Sequence, residues 1–411
     1  METQRVWRRG TVLFLSFVLA FVGVVPGSQA FSAAEAFPQP VASSPVRPVP
    51  AASRSELDWS RAVVDTTMQR YPDPAKLGKW GYAVAFFLYG TYLVYQRTHD
   101  QRYLHYVQGW VDSHVDAQGV IDAKINSLDS MLPGNLLLVL YRQTKEKKYK
   151  IAAQEIRGRL DTYPRTADGG FWHATSRRHQ LWLDGLYMSL PFLVRYGKLF
   201  HDAHYADNEA AHQLLIYTSH LNDPKTGLLF HAYDESGASP WADPITHHSS
   251  VFWCRSIGWT CMALLIVLDT LPRHDPDRPQ LLALVRQLAG ALTRYQDPKS
   301  GLWFQVVNQP DVPGNWLETS SSCMFTYFLA RAVERHYIAK SYSKAACQGY
   351  RGVLARLVRN ADGSVHIPGI CEGTNVGNLA YYLARKQNTD DFHGLGAFLV
   401  MNELLARMRC N

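Results

Sequence analysis

The chain has 411 residues, hydrophobic side chains at 47% of positions and a formal net charge of +7. Length alone would suggest two or three domains. The positive charge would suit nucleic acid, but the basic residues are scattered and form no stripe or recognised module, so no nucleic-acid partner is expected; a mild positive field suits an acidic substrate instead.

At the start of the chain, Arg5, Arg8 and Arg9 precede an apolar run, Val12–Val25, and then Ser28-Gln29-Ala30. That is the order of a secretory signal over residues 1–30. The run falls short of the roughly 20 residues a bilayer span needs. The expectation is an exported protein, periplasmic or extracellular, with no membrane attachment after signal removal. Residues 31–54 are rich in Ala, Pro and Ser and lack periodicity, which marks a linker. The remainder, 55–411, is enough for one large core.

Helical apolar spacing recurs near 56–70, 79–97, 101–116, 132–144, 147–160, 180–198, 205–220, 253–271, 278–296, 316–337, 341–359 and 390–408. Two kinds of connection alternate. Thr98–Tyr103 and Thr144–Tyr149 are short echoes of each other, with a Thr ending one helix and a Tyr beginning to pack the next. The long connections carry an acid–glycine turn followed by apolar residues: DAQGVIDA from Asp116, ADGGFWHA from Ala167, DPKTGLLFHA from Asp223, DPKSGLWFQV from Asp297 and ADGSVHIP from Ala361. Recurrence at tens of residues indicates stacked supersecondary units. Twelve helices with short links at one end and long loops at the other describe an all-α six-hairpin toroid, an (α/α)6 barrel with its long loops around one mouth. An open superhelix of helix pairs is the competing architecture.

Candidate chemistry lies in those loops. Asp129, in NSLDSMLPGN, precedes the fourth helix, where its ordinary role would be helix capping. The stretch FWHATSRRHQLWLDGLYM, Phe171–Met188, holds Asp184 among tryptophans at a helix entrance, below a loop containing His173. Aromatic faces stack on sugar rings, and partial desolvation raises a carboxyl pKa towards neutrality, where it can donate a proton. The competing reading makes Asp184 a helix-start acid favoured by the dipole. Asp129 near it would raise its pKa further by like-charge repulsion.

His231 and the His247-His248 pair are further loop histidines, each able to hydrogen-bond a hydroxyl or carboxylate or to be merely part-exposed. WCRSIGW places Trp253, Arg255 and Trp259 at the start of the eighth helix, where they would hold an anionic sugar or serve as core. Glu318 and the segment Gly373–Asn378, GTNVGN, are polar loop-to-helix junctions, and the latter lacks the lysine of a phosphate loop. Cys254 and Cys261 are about 10 Å apart along one helix and cannot pair. Cys323 reads as buried, and Cys347, Cys371 and Cys410 are the candidates for a bridge. No cysteine or histidine spacing fits a metal site.

PRTADGGFWH…QLWLDGLYMSLPF, HAYDES…WADP, VFWCRSIGW, LETSSSCMF and GTNVGN…DDFHGLGAFLVMNELL occur in that order. This resembles the unsaturated rhamnogalacturonyl hydrolases, family 105 of the glycoside hydrolases, which are related to the unsaturated glucuronyl hydrolases of family 88. The resemblance covers nearly all of 55–411 and implies an (α/α)6 barrel. It also implies cleavage of a 4,5-unsaturated galacturonyl group from the non-reducing end of rhamnogalacturonan fragments, without metal or organic cofactor. An acid protonates C4 of the vinyl ether, water adds at C5, and the resulting hemiketal opens and expels the next sugar. The matching positions make Asp184 the acid and then the base, with Asp129 beside it. Tyr82, His173, Trp182, His231, Trp253, Arg255, Trp259 and Thr374 would hold the uronate of an acidic oligosaccharide. Two departures stand out: Ala174 where the family often has Lys, and Ile257 where it often has Asn in WARGNGW. The rival readings are the same chemistry on unsaturated glucuronyl ends of another glycan, a non-catalytic glycan-binding toroid, and a lyase on the same barrel using a Tyr/His base.

Overall fold

The structure, a computed structural model, describes residues 57–408 and 410; the expected signal and linker, 1–54, lie outside the described residues. Thirteen helices are present among these: α1 Trp59–Arg70, α2 Tyr82–Thr98, α3 Gln101–Asp112, α4 Gly134–Thr144, α5 Lys147–Asp161, α6 Asp184–Phe200, α7 Ala203–Leu221, α8 Cys254–Thr270, α9 Arg278–Arg294, α10 Thr319–Glu334, α11 Ser343–Leu354, α12 Leu379–Leu383 and α13 Phe392–Leu405. Helices α2, α4, α6, α8, α10 and α13 form an inner ring in which each packs on the next and α13 closes onto α2; α1, α3, α5, α7, α9 and α11 cover it from outside. The architecture is the six-hairpin toroid expected from the helix count.

The division into layers follows from how much of each helix is apolar. In α8 every residue from Cys254 to Leu265 is buried, and in α13 every residue from His393 to Glu403. Both belong inside because they have no face to offer to water. Outer helix α5 instead buries only the stripe Tyr149, Ala152, Ala153, Ile156 and Leu160, whose spacing describes one face. Closure of the ring carries a specific tie as well as apolar contact. Arg97 at the end of α2 donates to both oxygens of Glu403 on α13, at 2.8 and 3.0 Å, and to Asp58 ahead of α1. A two-pronged guanidinium–carboxylate contact of this kind fixes direction as well as distance.

The repeated turns have a common mechanism. Gly227 and Gly301, in the two DPKxGL turns, have φ of +73° and +74°, a region open to glycine at no steric cost. In each turn the glycine N–H donates to the carbonyl of the leading aspartate, Asp223 or Asp297, at 2.8 Å. The aspartate side chain also accepts backbone N–H groups within the turn. The short links echo each other too. His99 and Lys145 take left-handed cap conformations, and Tyr103 and Tyr149 are fully buried in the following helices.

Two expectations need correction. Residues 180–182 are not the start of a helix but strand β1, Gln180–Trp182, paired antiparallel with β2, Ala232–Asp234. Residues 355–359 leave α11 and end in β3, Val358–Arg359, paired with β4, Val365–His366; β5, Ile370–Cys371, pairs with β6, Gln387–Asn388. Short α12 was not read from the sequence, since five residues show no period. Of the candidate cysteines, Cys347 and Cys410 are bridged, tying α11 to the end of the chain, while Cys254, Cys261, Cys323 and Cys371 are buried thiols.

The bridge closes a loop of sequence separation 63. Cys347→Ser is expected to lower the unfolding free energy by about 2–4 kcal/mol, read as a lower denaturant midpoint under non-reducing conditions. An unchanged midpoint would show that the bridge adds nothing to stability.

Candidate active site

A cavity of about 290 Å³ opens among the long loops, lined by Tyr82, Ser127, Asp129, His173, Ala174, Ser176, Arg177, Trp182, Asp184 and Gly373-Thr374-Asn375. Its volume is at the small end of the roughly 300–1,000 Å³ usual for ligand sites, which suits the end of a chain better than its middle.

The wall is assembled by backbone pairing between distant segments. The β1–β2 ladder sets Trp182 opposite Ala232, and the Leu183 N–H donates to the His231 carbonyl at 3.0 Å. Asp184 then begins α6, and its Oδ2 meets His231 Nε2 at 2.9 Å. A second set of pairings brings residues 126–130 alongside: the Leu128 N–H donates to the His173 carbonyl and the Thr175 N–H to that of Asn126, both at 2.9 Å. Gly185 makes this close approach possible, because a Cβ there would lie 2.6 Å from Leu128. Trp80 holds the same turn from the other side, its indole N–H donating to the Ser130 carbonyl at 2.8 Å.

Neither carboxylate caps a helix, although Asp184 does sit in the first turn of α6, where the dipole favours its charge. The turn Leu128–Ser130 is capped by Ser127, not by Asp129, whose side chain is 33% exposed and has His173 Nε2 at 3.7 Å. Asp184 makes no side-chain cap on α6 and keeps 13% of its side chain exposed. Both carboxylates therefore reach the cavity. Asp184 is not raised as expected from its apolar setting. Burial pushes its carboxyl up, but its contact with His231, followed by the charge of His173, pushes down harder and holds it below the ordinary carboxylate value. His173 moves the other way: burial lowers it, yet the Asp129 carboxylate raises it overall.

Trp182 is stacked on His173 with ring centroids 4.3 Å apart and planes 9° from parallel. The guanidinium of Arg177 lies 5.4 Å over the Trp182 ring, and Arg177 is the one arginine or lysine among the lining residues. Tyr82, the first residue of α2, contacts His393 Nε2 through its hydroxyl at 2.7 Å, and His393 is held in turn by Asp391.

The residues singled out from sequence divide into two groups. Asp129, Asp184, Tyr82, His173, Trp182 and Thr374 line the cavity; His231, Trp253, Arg255 and Trp259 do not. His231 is fully buried but touches Asp184 directly. Trp253 packs on His231 at 4.7 Å, and Trp259 is core, set against Phe86 and Tyr187 at 4.8 Å each. Arg255 does not face the cavity: its terminal nitrogens donate to the carbonyls of Cys371 and Glu372, immediately before the wall residues 373–375. Buried Glu318 grips the same strand from its other side, accepting the Cys371 N–H at 2.9 Å while capping α10. Of the two departures, Ala174 lines the cavity and Ile257 is buried in α8. His247 and His248 lie outside the cavity, with His248 stacked on Phe230.

Sequence reasoning missed Arg177, His393 and Tyr382. Arg177 lies inside the stretch around Asp184, but two adjacent arginines give no sign of which one turns inward. The others are reached only through long-range contacts.

A family model and three known proteins fit this geometry. The family model described as Glycosyl Hydrolase Family 88 matches residues 59–408. A solved glycoside hydrolase from family 105 of C. acetobutylicum is 31% identical, with a TM-score of 0.82 over 86% of this chain and 100% of that one. The unsaturated rhamnogalacturonyl hydrolase YesR of Bacillus subtilis is 28% identical over 270 residues, 64% of this chain and 72% of that one. The unsaturated glucuronyl hydrolase of Bacillus sp. GL1 has a TM-score of 0.64 at 15% identity, covering 85% and 95% of the two chains, a likeness in fold.

The grip on residues 371–372 gives a test. Arg255→Met leaves the Cys371 and Glu372 carbonyls without their buried donor, and a buried polar group left unsatisfied costs about 1–3 kcal/mol. Lower thermal stability together with weaker substrate binding is expected; an unchanged melting point would show that Arg255 does not support the wall.

Proposed function

We propose a substrate and a mechanism for this chain, which belongs to Glycosyl Hydrolase Family 88 and is a glycoside hydrolase of the unsaturated glycuronyl type. The substrate is an oligosaccharide ending in a 4,5-unsaturated galacturonyl group on rhamnogalacturonan, as left by lyase cleavage of pectin. The observation that carries this reading is the pairing of Asp184 with His231 at the floor of a small cavity whose walls are Trp182, Asp129 and Arg177. The Trp182 ring, already stacked on His173, lends the cavity an apolar wall against which one pyranose ring can pack. Arg177 offers two-pronged donation to a uronate carboxylate. The named activity of YesR supports rhamnogalacturonan over other acidic glycans.

In the proposed reaction Asp184 gives its proton to C4 of the C4=C5 double bond. A water oxygen bonds to C5 while its proton returns to the Asp184 carboxylate. The C5 hemiketal then opens by breaking its bond to the ring oxygen, and the C1 centre expels the neighbouring sugar as its free alcohol. Water is the only reagent consumed. Asp184 must therefore be protonated in the complex although His231 and His173 hold it low in the free site. The bound uronate brings a negative charge and excludes water, and both effects favour the neutral acid. Export is part of the same proposal: the Cys347–Cys410 bridge supports an oxidising compartment.

Asp184→Asn should slow loss of the unsaturated-uronate absorbance by roughly 10²–10⁴-fold with the fold retained. A variant as fast as wild type would sink the assignment. Rising absorbance with an intact glycan would instead identify a lyase, and preference for glucuronyl ends in a panel of lyase-generated oligosaccharides would move the substrate. A second test is the pH profile. The acid form of Asp184 is the active one, so activity falls as pH rises through its pKa. Because the complex has the higher pKa, the alkaline limb of kcat should lie at higher pH than that of kcat/KM; coincident limbs would refute protonation assisted by substrate.

A further inference from the structure

We infer that Tyr382, on α12, is a positioning residue: its hydroxyl donates to Nδ1 of His231, fixes the Nε2–H tautomer and keeps His231 a neutral donor to Asp184. This rests on the proposed role of Asp184 as the proton donor and goes one bond further from the substrate.

The donor order follows from the two ends of the chain, since the ionised Asp184 carboxylate can only accept from Nε2 and the Gly377 N–H can only donate. The backbone N–H of Gly377 can only donate, and it points at the Tyr382 hydroxyl oxygen at 3.3 Å. The phenolic proton is then free to turn to His231 Nδ1, 2.6 Å away. A nitrogen that accepts there carries no proton, so the ring proton lies on Nε2 and is donated to Asp184 Oδ2 at 2.9 Å. His231 and Tyr382 have no measurable exposure, and Trp253 and Trp182 pack on the His231 ring, so water does not supply another partner. The chain Gly377–Tyr382–His231–Asp184 thus runs from the GTNVGN segment, whose Thr374 and Asn375 face the cavity, to the reacting carboxylate.

Its consequence is electrostatic. An imidazolium against Asp184 would form a full ion pair and keep the proton off, whereas a neutral imidazole supplies one hydrogen bond. Charging His231 requires reversing the bond to Tyr382, so the phenol opposes it. The other titratable or charged groups facing Asp184 are Asp129 from the 128–130 turn, His173 and Arg177 from the loop before β1, Tyr82 from α2 and Tyr217 from α7. Of these side chains, His231 is the one hydrogen-bonded to the carboxylate.

Tyr382→Phe removes the hydroxyl and little volume. In the full enzyme, kcat should fall ten- to a hundredfold, and its alkaline limb should move to lower pH by about one unit. KM should stay within about twofold, since Tyr382 does not line the cavity. Nitrogen NMR of the substrate-free protein should show His231 protonated at Nε2 alone near neutral pH in wild type, and doubly protonated or tautomerically mixed in the variant. A lower kcat with an unmoved alkaline limb, an unchanged kcat, or an Nδ1–H tautomer in wild type would each overturn the inference. The NMR measurement uses no substrate, so it decides the tautomer even where the substrate assignment fails.

Discussion

One hydrogen bond, between Asp184 and His231, is what the rest of the site serves. It joins the first residue of α6 to a residue 47 positions later, and it forms because the β1–β2 ladder and the Leu183–His231 backbone bond leave the two side chains facing each other. A carboxylate at a helix N-terminus is stabilised in its charged form, and a histidine beside it adds to that effect. The site therefore rests with its carboxyl low, and the proposed reaction has the bound ligand raise it, which would tie the reactive protonation state to occupancy of the cavity.

Behind the visible walls is a second, buried frame. Arg255 and Glu318 hold the backbone of residues 371–372 from opposite sides, and that backbone leads straight into the cavity segment 373–375. The resemblance to family 105 implied a direct role for Arg255 on the uronate, but its guanidinium is 1% exposed and its terminal nitrogens are engaged with carbonyls. Positive charge at the cavity wall comes from Arg177, three residues beyond Ala174 on the same tight turn, where the Arg177 N–H bonds the Ala174 carbonyl. The absence of a lysine at position 174 thus does not leave the wall without a cation.

The ring itself imposes these constraints. Six inner helices that bury nearly all of their surface leave no room for the loops to sink inward, so the long connections gather at one mouth. Turns such as those at Gly227 and Gly301 reverse the chain in a few residues and deliver a short extended segment to the rim. In the first of them that segment is the one carrying His231.

The twelve longer helices and the repeating turns were legible in the sequence because they rest on local rules: apolar period, helix length, and a glycine placed where φ is positive; five-residue α12 and the layer of each helix were not. Asp184, Asp129, His173 and Trp182 were legible for a related reason, since they lie in loops flanking helix starts whose positions the period reveals. Tertiary structure alone decided which side chains meet. The partnership of Asp184 with His231 and Tyr382, the turning of Arg255 away from the cavity and of Arg177 towards it, and the choice of Cys347 with Cys410 all depend on contacts across tens to hundreds of residues. No periodicity carries that information, because the position of a side chain in the ring is set by the closure of all six hairpins together.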